Sequence, residues 1–181
     1  MITLSARYAT PARIHTDLIT FFLFEDAEFL RSQLARIRQQ LSGESRSVLS
    51  SSHCRGKERE TLLLHPGTTT SLRMLLVGLG ASEKFTIDTL RRATAVTLRH
   101  ARKMRLRSVA ILEPDVKVLE SIGSGLRSEG IGTAIGEGAL LSTYRYAKYL
   151  TRKDSRPAVT SLTVVSDDRD QRVVDGVSFE V

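Results

Sequence analysis

A dense run of basic residues is the first feature of the sequence that suggests chemistry. Between positions 91 and 107 lie seven positive charges and no acidic residue: Arg91, Arg92, Arg99, Arg102, Lys103, Arg105 and Arg107. Their number equals the net charge of the whole chain, +7. On a helix, those up to Lys103 share the face opposite an apolar stripe. We favour a solvated face suited to a helix C-terminus. A phosphate-contacting stripe for nucleic acid and contact with acidic groups of a neighbouring subunit are the alternatives.

A glycine turn is the second such feature. Gly78-Leu79-Gly80 follows a predicted strand and precedes a predicted helix, where a nucleotide phosphate can bind. The dinucleotide-binding fingerprint requires a third glycine, but Glu83 occupies that place. Because a tight turn with positive φ accounts for both glycines, we favour a structural role for this turn.

The candidates for metal binding and nucleophilic catalysis are isolated. His53 and Cys54 are adjacent in a polar segment, but no second histidine stands at ligand spacing from His53. Ser50 to Ser52 lack the glycine-framed turn of a catalytic serine. We therefore predict no catalytic residue, no metal ligand and no cofactor in this chain.

The composition is typical of one globular domain. The chain has 181 residues, of which 41% are hydrophobic, so it can bury about two-thirds of its unfolded surface. No apolar run approaches the roughly 18–20 residues of a membrane span, and the first residues lack the pattern of a signal peptide. A single cysteine, Cys54, fits a reducing compartment. These features predict a cytoplasmic protein without membrane contact.

Apolar patterning divides the chain into strands and helices that mostly alternate. Strands are predicted at residues 2–8, 18–24, 60–65, 72–77, 109–112 and 158–165. Helices are predicted at 27–41 with Asp26 as cap, from Thr86 to about 105, at 116–126 and at 131–150. Residues 42–58 are predicted to be a loop with at most a short strand near Val48 and Leu49. At two places in the chain, one predicted strand follows another with no helix between them. We therefore predict an α/β three-layer sandwich with a mixed central sheet of about six strands flanked by helices.

Two segments of the chain also resemble a known family. The segment 136–150, GEGALLSTYRYAKYL, combines small residues with a Tyr-Arg-aromatic cluster and a basic residue. The segment beginning RMLLVGLG at Arg73 contains a strand, a Val-Gly-Leu-Gly turn and a long helix. Both resemble leucyl (cytosol) aminopeptidases in order and approximate spacing, over about residues 62–168. The resemblance points to the amino-terminal, non-catalytic domain of that family and implies a macro-domain-like fold.

The same segment holds a second group of glycines and a group of tyrosines. Macro domains bind ADP-ribose between glycine-rich loops, but the aminopeptidases are not known for this ability. We therefore favour packing of a helix against the sheet as the reason for Gly130, Gly132, Gly136 and Gly138. Spacing spreads the tyrosines around the helix, so we expect half-buried packing residues and not a base-stacking platform. They are Tyr144, Tyr146 and Tyr149.

The resemblance further implies what this chain lacks. The Asn-Thr-Asp-Ala-Glu-Gly-Arg run of the family's catalytic half is absent, and the Asp-Ala-Glu triplet at residues 26–28 matches it by chance. We therefore expect residues 1–166 to be an accessory or regulatory domain and 167–181 the start of an inter-domain connection, in a domain or truncated product that is not itself an enzyme. The parent would be a homohexameric exopeptidase with two zinc or manganese ions. Some bacterial members also have a second role on DNA.

Overall fold

A mixed sheet of six strands forms the centre of the computed structural model, which describes residues 2–52, 54–66, 73–114, 116–121, 128–143 and 159–166. The strand order is β1-β6-β5-β2-β4-β3, and among the described strands every neighbouring pair is parallel except β3 and β4. The strands are β1 (Thr3–Tyr8), β2 (Leu18–Phe24), β3 (Thr61–Leu64), β4 (Met74–Gly80), β5 (Ser108–Leu112) and β6 (Ser161–Ser166). The predicted mixed sheet is confirmed.

Helices cover both faces of this sheet. They are α1 (Ala27–Gln39), α2 (Gly43–Ser51), α3 (Ile87–Lys103), α4 (Val116–Ser121) and α5 (Ser128–Thr143), with short 3₁₀ turns at Pro11–Arg13 and Ser82–Lys84. Apolar side chains of α1 and α2 pack with one face of the strands, and those of α3, α4 and α5 pack with the other. The result is the three-layer α/β sandwich that the sequence predicted.

Strand β2 is the buried centre of the sheet. All seven of its residues are buried, because β5 and β4 flank its two edges and helices cover both its faces. A continuous apolar run is what such a position requires, since neither face meets water. The prediction of a central strand at 18–24 is confirmed.

Helix α3 begins where the sequence predicted. Thr86 and Thr89 form a reciprocal cap, in which the Thr86 amide donates to Thr89 Oγ1 at 3.2 Å. The apolar stripe of the helix faces the sheet, with Leu90, Thr94 and Ala101 fully buried. Capping at this end satisfies amides that the first turn of a helix otherwise leaves without partners.

The segment 42–58, predicted as a loop, contains the helix α2, and this prediction was wrong. Its serines favour turns because their hydroxyls compete for backbone groups. Here the hydroxyls of Ser50, Ser51 and Ser52 donate to carbonyls of α2 at 2.9–3.2 Å, so their bonds leave the helical backbone intact. Burial of Leu49 against the sheet supplies the driving force that propensity does not.

Asp26 holds the predicted N-cap position of α1, but its carboxylate bonds elsewhere. No cap hydrogen bond from α1 reaches this side chain, and Oδ2 instead accepts from the Ser82 amide at 2.7 Å. The residue therefore ties the end of β2 to the turn that follows β4. Propensity correctly marked a helix start but could not indicate a partner 56 residues away.

Several predicted features lie outside the described residues. They are the turn at 67–68, the end of the helix predicted at 116–126, the segment 144–150 with its three tyrosines, and the connection at 167–181.

Asp17 links the loop before β2 to the loop before β5. Its carboxylate Oδ2 accepts from the amides of Arg107 and Ser108, both at 2.9 Å, and the Asp17 amide donates to Ser108 Oγ at 2.8 Å. Burial opposes ionisation, but the hydrogen bonds from Ser108 and Arg107, with the charge of Arg73, outweigh it and lower the pKa of Asp17.

A lowered folded-state pKa makes this link sensitive to acid. Its stabilisation is present above the unfolded pKa of about 3.9 and is lost as pH falls through the lower folded value. We expect Asp17→Asn to reduce the free energy of unfolding by about 1–3 kcal/mol at pH 7. The difference from wild type should shrink as the pH falls from 5 to 3. Urea unfolding across this range measures it, with Glu44→Gln as the surface control; a constant difference would contradict the account.

Candidate functional site

Gly138 brings α5 into backbone contact with α3. A Cβ atom at this position would lie 2.7 Å from the Arg91 carbonyl oxygen and 2.9 Å from its Cα atom. Such distances are shorter than any real Cβ contact, so a side chain here would push the helices apart. A Cβ at Gly136 would instead meet only Leu4 Cδ1, at an ordinary 3.6 Å. The two helical glycines therefore experience different constraints.

Arg91 joins the same two helices by its charge. Its Nη1 lies 2.7 Å from Asp88 Oδ1 within α3, and its Nε donates to Glu137 Oε2 on α5 at 2.7 Å. The hydrogen bonds to Asp88 and Glu137 raise the pKa of Arg91. The side chain of Arg91 is therefore engaged in the contact between α3 and α5.

Arg92 is also paired, through the segment that precedes β3. Its Nε lies 3.1 Å from Glu58 Oε1, and its Nη2 lies 3.4 Å from Thr89 Oγ1. Two of the seven basic residues thus have carboxylate partners. The basic run divides into a paired beginning and a second part at the C-terminal end of α3.

The second part of the run is a cluster of positive charge, which we call the basic end of α3 and which is exposed except for the half-buried Arg102. Within the part of the chain that the structure describes, none of its members has a carboxylate within salt-bridge distance. Burial, together with the charges of Lys103 and Arg99, lowers the pKa of His100. The members of the basic end are Arg99, Arg102, Lys103, Arg105 and Arg107.

Arg105 occupies a position where glycine is usual. It ends α3 with φ of 60°, in the left-handed region. The Leu106 amide donates to the Ala101 carbonyl at 2.9 Å, and the Arg105 amide donates to the Arg102 carbonyl at 3.0 Å. These bonds form the Schellman cap, whose left-handed residue is most often glycine. An arginine here costs stability and adds charge to the basic end.

At the carboxyl end of β4, another segment of the chain occupies the space beside the glycine turn. The Gly78 amide donates to the Glu60 carbonyl at 2.8 Å, and the Gly80 amide donates to the Gly56 carbonyl at 2.9 Å. A Cβ at Gly78 would lie 1.9 Å from the Lys57 carbonyl oxygen, while Gly80 has φ of 84°. Close approach thus accounts for the first glycine and positive φ for the second. Both amides that a phosphate would need are already bonded to the backbone.

The other isolated candidates do not assemble into a site. Cys54 is half-buried, and burial raises the pKa of its thiol, while His53 is outside the described residues. The side-chain hydroxyls of Ser50 and Ser52 donate to backbone carbonyls in α2. Among the described residues, no three His, Cys, Asp or Glu side chains lie close enough to share a metal ion, and no helix is long and apolar enough to span a membrane.

A cleft between β2 and β5 was not predicted from the sequence. The pairing between strands β2 and β5 stops at Thr20 and Ile111, whereas the pairing between β2 and β4 continues to Phe24. The Phe24 amide donates to Gln33 Oε1 of α1 at 3.0 Å, so a side chain replaces a strand partner. A cavity of about 190 Å³ opens here, lined by Phe21, Gln33, Arg36, Ile37, Leu112 and Glu113.

This cleft lies where the chain changes direction. After β2 the chain passes to α1 on one face of the sheet, and after β5 it passes to α4 and α5 on the other. Ligands in open α/β sheets bind at such switch points, beyond the carboxyl ends of the strands. Its polar residues lie on α1 and directly after β5, so no local sequence motif indicated the cleft.

Comparison with solved structures defines the class of the fold. The macro domain of ganglioside induced differentiation associated protein 2 superimposes with a TM-score of 0.62 at 11% identity, over 96% of this chain and 81% of that one. A mutant of tomato leucine aminopeptidase gives a TM-score of 0.73 at 16% identity, over 97% of this chain and 34% of that one. The chain is a macro-domain-like α/β domain.

Sequence comparison then identifies the family. The model of the cytosol aminopeptidase family, N-terminal domain, matches residues 20–153. A probable cytosol aminopeptidase of Alkaliphilus oremlandii is 30% identical over 157 residues, which cover 86% of this chain and 30% of the relative. The chain belongs to the cytosol aminopeptidase family and matches its N-terminal domain, which confirms the resemblance seen in the sequence. It spans less than a third of the length of that relative.

The contact at Gly138 gives a pair of substitutions with opposite effects. Alanine is favoured over glycine inside a helix by about 1 kcal/mol, so Gly136→Ala should leave stability unchanged or raise it. Gly138→Ala should lower the free energy of unfolding by about 1–3 kcal/mol, because its Cβ meets backbone that cannot rotate away. Urea unfolding of both variants tests this. Equal effects in both would show that α5 does not lie against α3 in this way.

The conformation of Arg105 leads to a second prediction. Arg105→Gly should raise the free energy of unfolding by about 1 kcal/mol, since glycine adopts positive φ without strain. Arg102→Gly, inside the helix, is the matched control and should lower it by about 1 kcal/mol. Thermal or urea unfolding measures both. A loss of stability in Arg105→Gly would mean that the arginine side chain makes contacts that outweigh its backbone strain.

Proposed function

We propose that this chain is the accessory, non-catalytic domain of a metal-dependent aminopeptidase that removes amino-terminal residues from peptides. The observation that carries the proposal is the family match over residues 20–153, which falls on the N-terminal domain of these enzymes. In this proposal residues 1–166 form the domain and 167–181 begin the connection to a catalytic half. The partners are that half and the neighbouring subunits of a cytoplasmic homohexamer.

The metal chemistry of the proposed parent belongs outside the described residues of this chain. Two zinc or manganese ions would activate water for attack on the peptide bond. Such sites need clusters of carboxylate, imidazole or thiolate ligands, and the described residues do not fit one. No step of that reaction is assigned to any residue here. In this proposal the domain acts as a folded body whose surfaces position the catalytic half.

Activity measurements test the non-catalytic part of the proposal. The purified chain, supplied with manganese or zinc, should hydrolyse a chromogenic leucine amide no faster than buffer with the same ions. The full-length Alkaliphilus oremlandii relative is the positive control. Metal-dependent turnover that follows the chain through purification and is abolished by a chelator would disprove the proposal.

A domain exchange tests the accessory part. This chain replaces the corresponding domain of the Alkaliphilus oremlandii relative, and a second protein lacks that domain altogether. We expect the exchanged protein to assemble and retain peptidase activity better than the shortened protein, because the fold presents the same architecture to the catalytic half. The exchanged protein carrying Gly138→Ala serves as a destabilised control. Equal loss of assembly and activity in the exchanged and shortened proteins would contradict the accessory role.

Nucleic-acid binding is a second candidate function, supported by the basic end of α3. Its five charges lack carboxylate partners among the described residues, and Arg105 retains a charge at a position that favours glycine. Arg91 and Arg92 are excluded from this candidate surface because Glu137 and Glu58 pair with them. The surface is thus smaller than the seven-residue run in the sequence.

The salt dependence of DNA binding tests this second function. If all five charges contact phosphates, the logarithm of the binding constant should fall with the logarithm of salt concentration at a slope of about −4 to −5. Arg99→Glu combined with Arg102→Glu should abolish binding without unfolding the chain, whereas Arg31→Glu on α1 should leave it unchanged. Absent or salt-independent binding to duplex DNA at low ionic strength would remove this function.

A further inference from the structure

The cleft between the carboxyl ends of β2 and β5 contains groups of both charges beside apolar walls. Arg36 of α1 and Glu113, directly after β5, both line it, and each already interacts with neighbouring groups in the chain. Phe21, Ile37 and Leu112 supply apolar surface from the core that α1 shares with the sheet. A guanidinium, a carboxylate and an apolar wall thus meet in one small volume.

The position of the cleft is fixed by the backbone and not by a mobile loop. Ile37 is 1% exposed and anchors α1 on the sheet. Gln33 accepts from the Phe24 amide, and the Glu113 amide donates to the Val165 carbonyl at 3.1 Å. One wall is thus held by a hydrogen bond from the backbone to a side chain, and the other by a hydrogen bond between backbones. Binding sites in proteins are usually preformed in this manner, with few polar groups in an apolar lining.

We propose that this cleft binds a free α-amino acid with an apolar side chain. Arg36 would pair with the α-carboxylate, because guanidinium binds carboxylate through two parallel hydrogen bonds. Glu113 would accept from the α-ammonium, and the aliphatic side chain would lie against Phe21, Ile37 and Leu112. Binding would replace the contacts that Arg36 and Glu113 now make within the chain by contacts with the two charged groups of the ligand, so each of the two side chains keeps a partner.

The size of the cleft favours this class over a nucleotide. The cavity measures about 190 Å³, which is smaller than the roughly 300–1,000 Å³ of sites for larger organic ligands. The neighbouring glycine turn, where a phosphate would bind, has its amides bonded to Glu60 and Gly56. A single amino acid fits the available volume and the two opposite charges.

Calorimetric titration of the purified chain tests the proposal with matched ligands. L-Leucine should bind saturably with one site per chain. Binding should be at least about tenfold weaker for 4-methylpentanoate, which lacks the ammonium, for 3-methylbutylamine, which lacks the carboxylate, and for glycine, which lacks the side chain. Absence of leucine binding at millimolar concentration, equal binding of the truncated ligands, or binding of ADP in its place would overturn the proposal.

Variants and a direct probe locate the binding. Arg36→Gln and Glu113→Gln should each weaken leucine binding at least about tenfold, whereas Arg31→Gln, exposed on the same helix, should not change it. Methyl NMR spectra of the wild-type chain provide the direct probe. Added leucine should shift the methyl signals of Ile37 and Leu112 and leave those of Leu49 unchanged. Unchanged affinity in folded Arg36→Gln and Glu113→Gln, or methyl shifts elsewhere only, would refute the site.

Free amino acids are also the product class of the peptidase reaction proposed above, and this connection alone rests on the proposed function. The two proposals fail separately. Missing leucine binding removes the site and leaves the accessory role intact. Peptidase turnover by the chain alone removes the accessory role and leaves the binding result standing.

Discussion

Burial of β2 on both faces and along both edges is the constraint on which the rest of the structure depends. Seven consecutive residues, 18–24, are buried, so no side of the strand can face water. The sheet therefore needs β5 and β4 as neighbours, and helices above and below. Burial of apolar surface stabilises a fold by about 25 cal/mol per Å², so a strand that is buried on both faces contributes more than one that is exposed on one face.

The same strand determines how the carboxyl edge of the sheet is shaped. On the β4 side, residues 56–60 cross over the edge and bond to Gly78 and Gly80. On the β5 side, pairing stops at Thr20 and a cleft opens. Thus the edge is closed where the sequence suggested a phosphate turn and open where no motif was visible. The cleft between β2 and β5 is therefore the part of this edge that a ligand can enter.

Periodicity and capping predicted most of the fold because they are local. The apolar run at 18–24 and the stripe of α3 after Thr86 follow directly from burial, and the structure agrees with both. Helix α2 was missed because its formation depends on burying Leu49 against the sheet, and serine propensity gave the opposite indication. Local patterns do not record such tertiary contacts.

Site features were harder to predict since they join distant residues. Arg91 pairs with Glu137, which lies 46 positions away in the sequence, and Arg92 pairs with Glu58. The basic run at 91–107 therefore contains two residues that the sequence could not show to be paired. The sequence predicted that Gly138 packs against the sheet, but this was wrong, because its close contact is with the Arg91 backbone of α3. The cleft residues Gln33, Arg36 and Glu113 come from a helix and the end of a strand, and their proximity follows from topology alone.

The proposed accessory role requires that this chain hold no catalytic metal ion of its own. Equilibrium dialysis against zinc and manganese, followed by elemental analysis of the retained protein, tests that claim most directly. The account predicts that neither metal is retained in stoichiometric amount at neutral pH. Retention of one or two ions per chain, resistant to washing and lost on addition of a chelator, would contradict it.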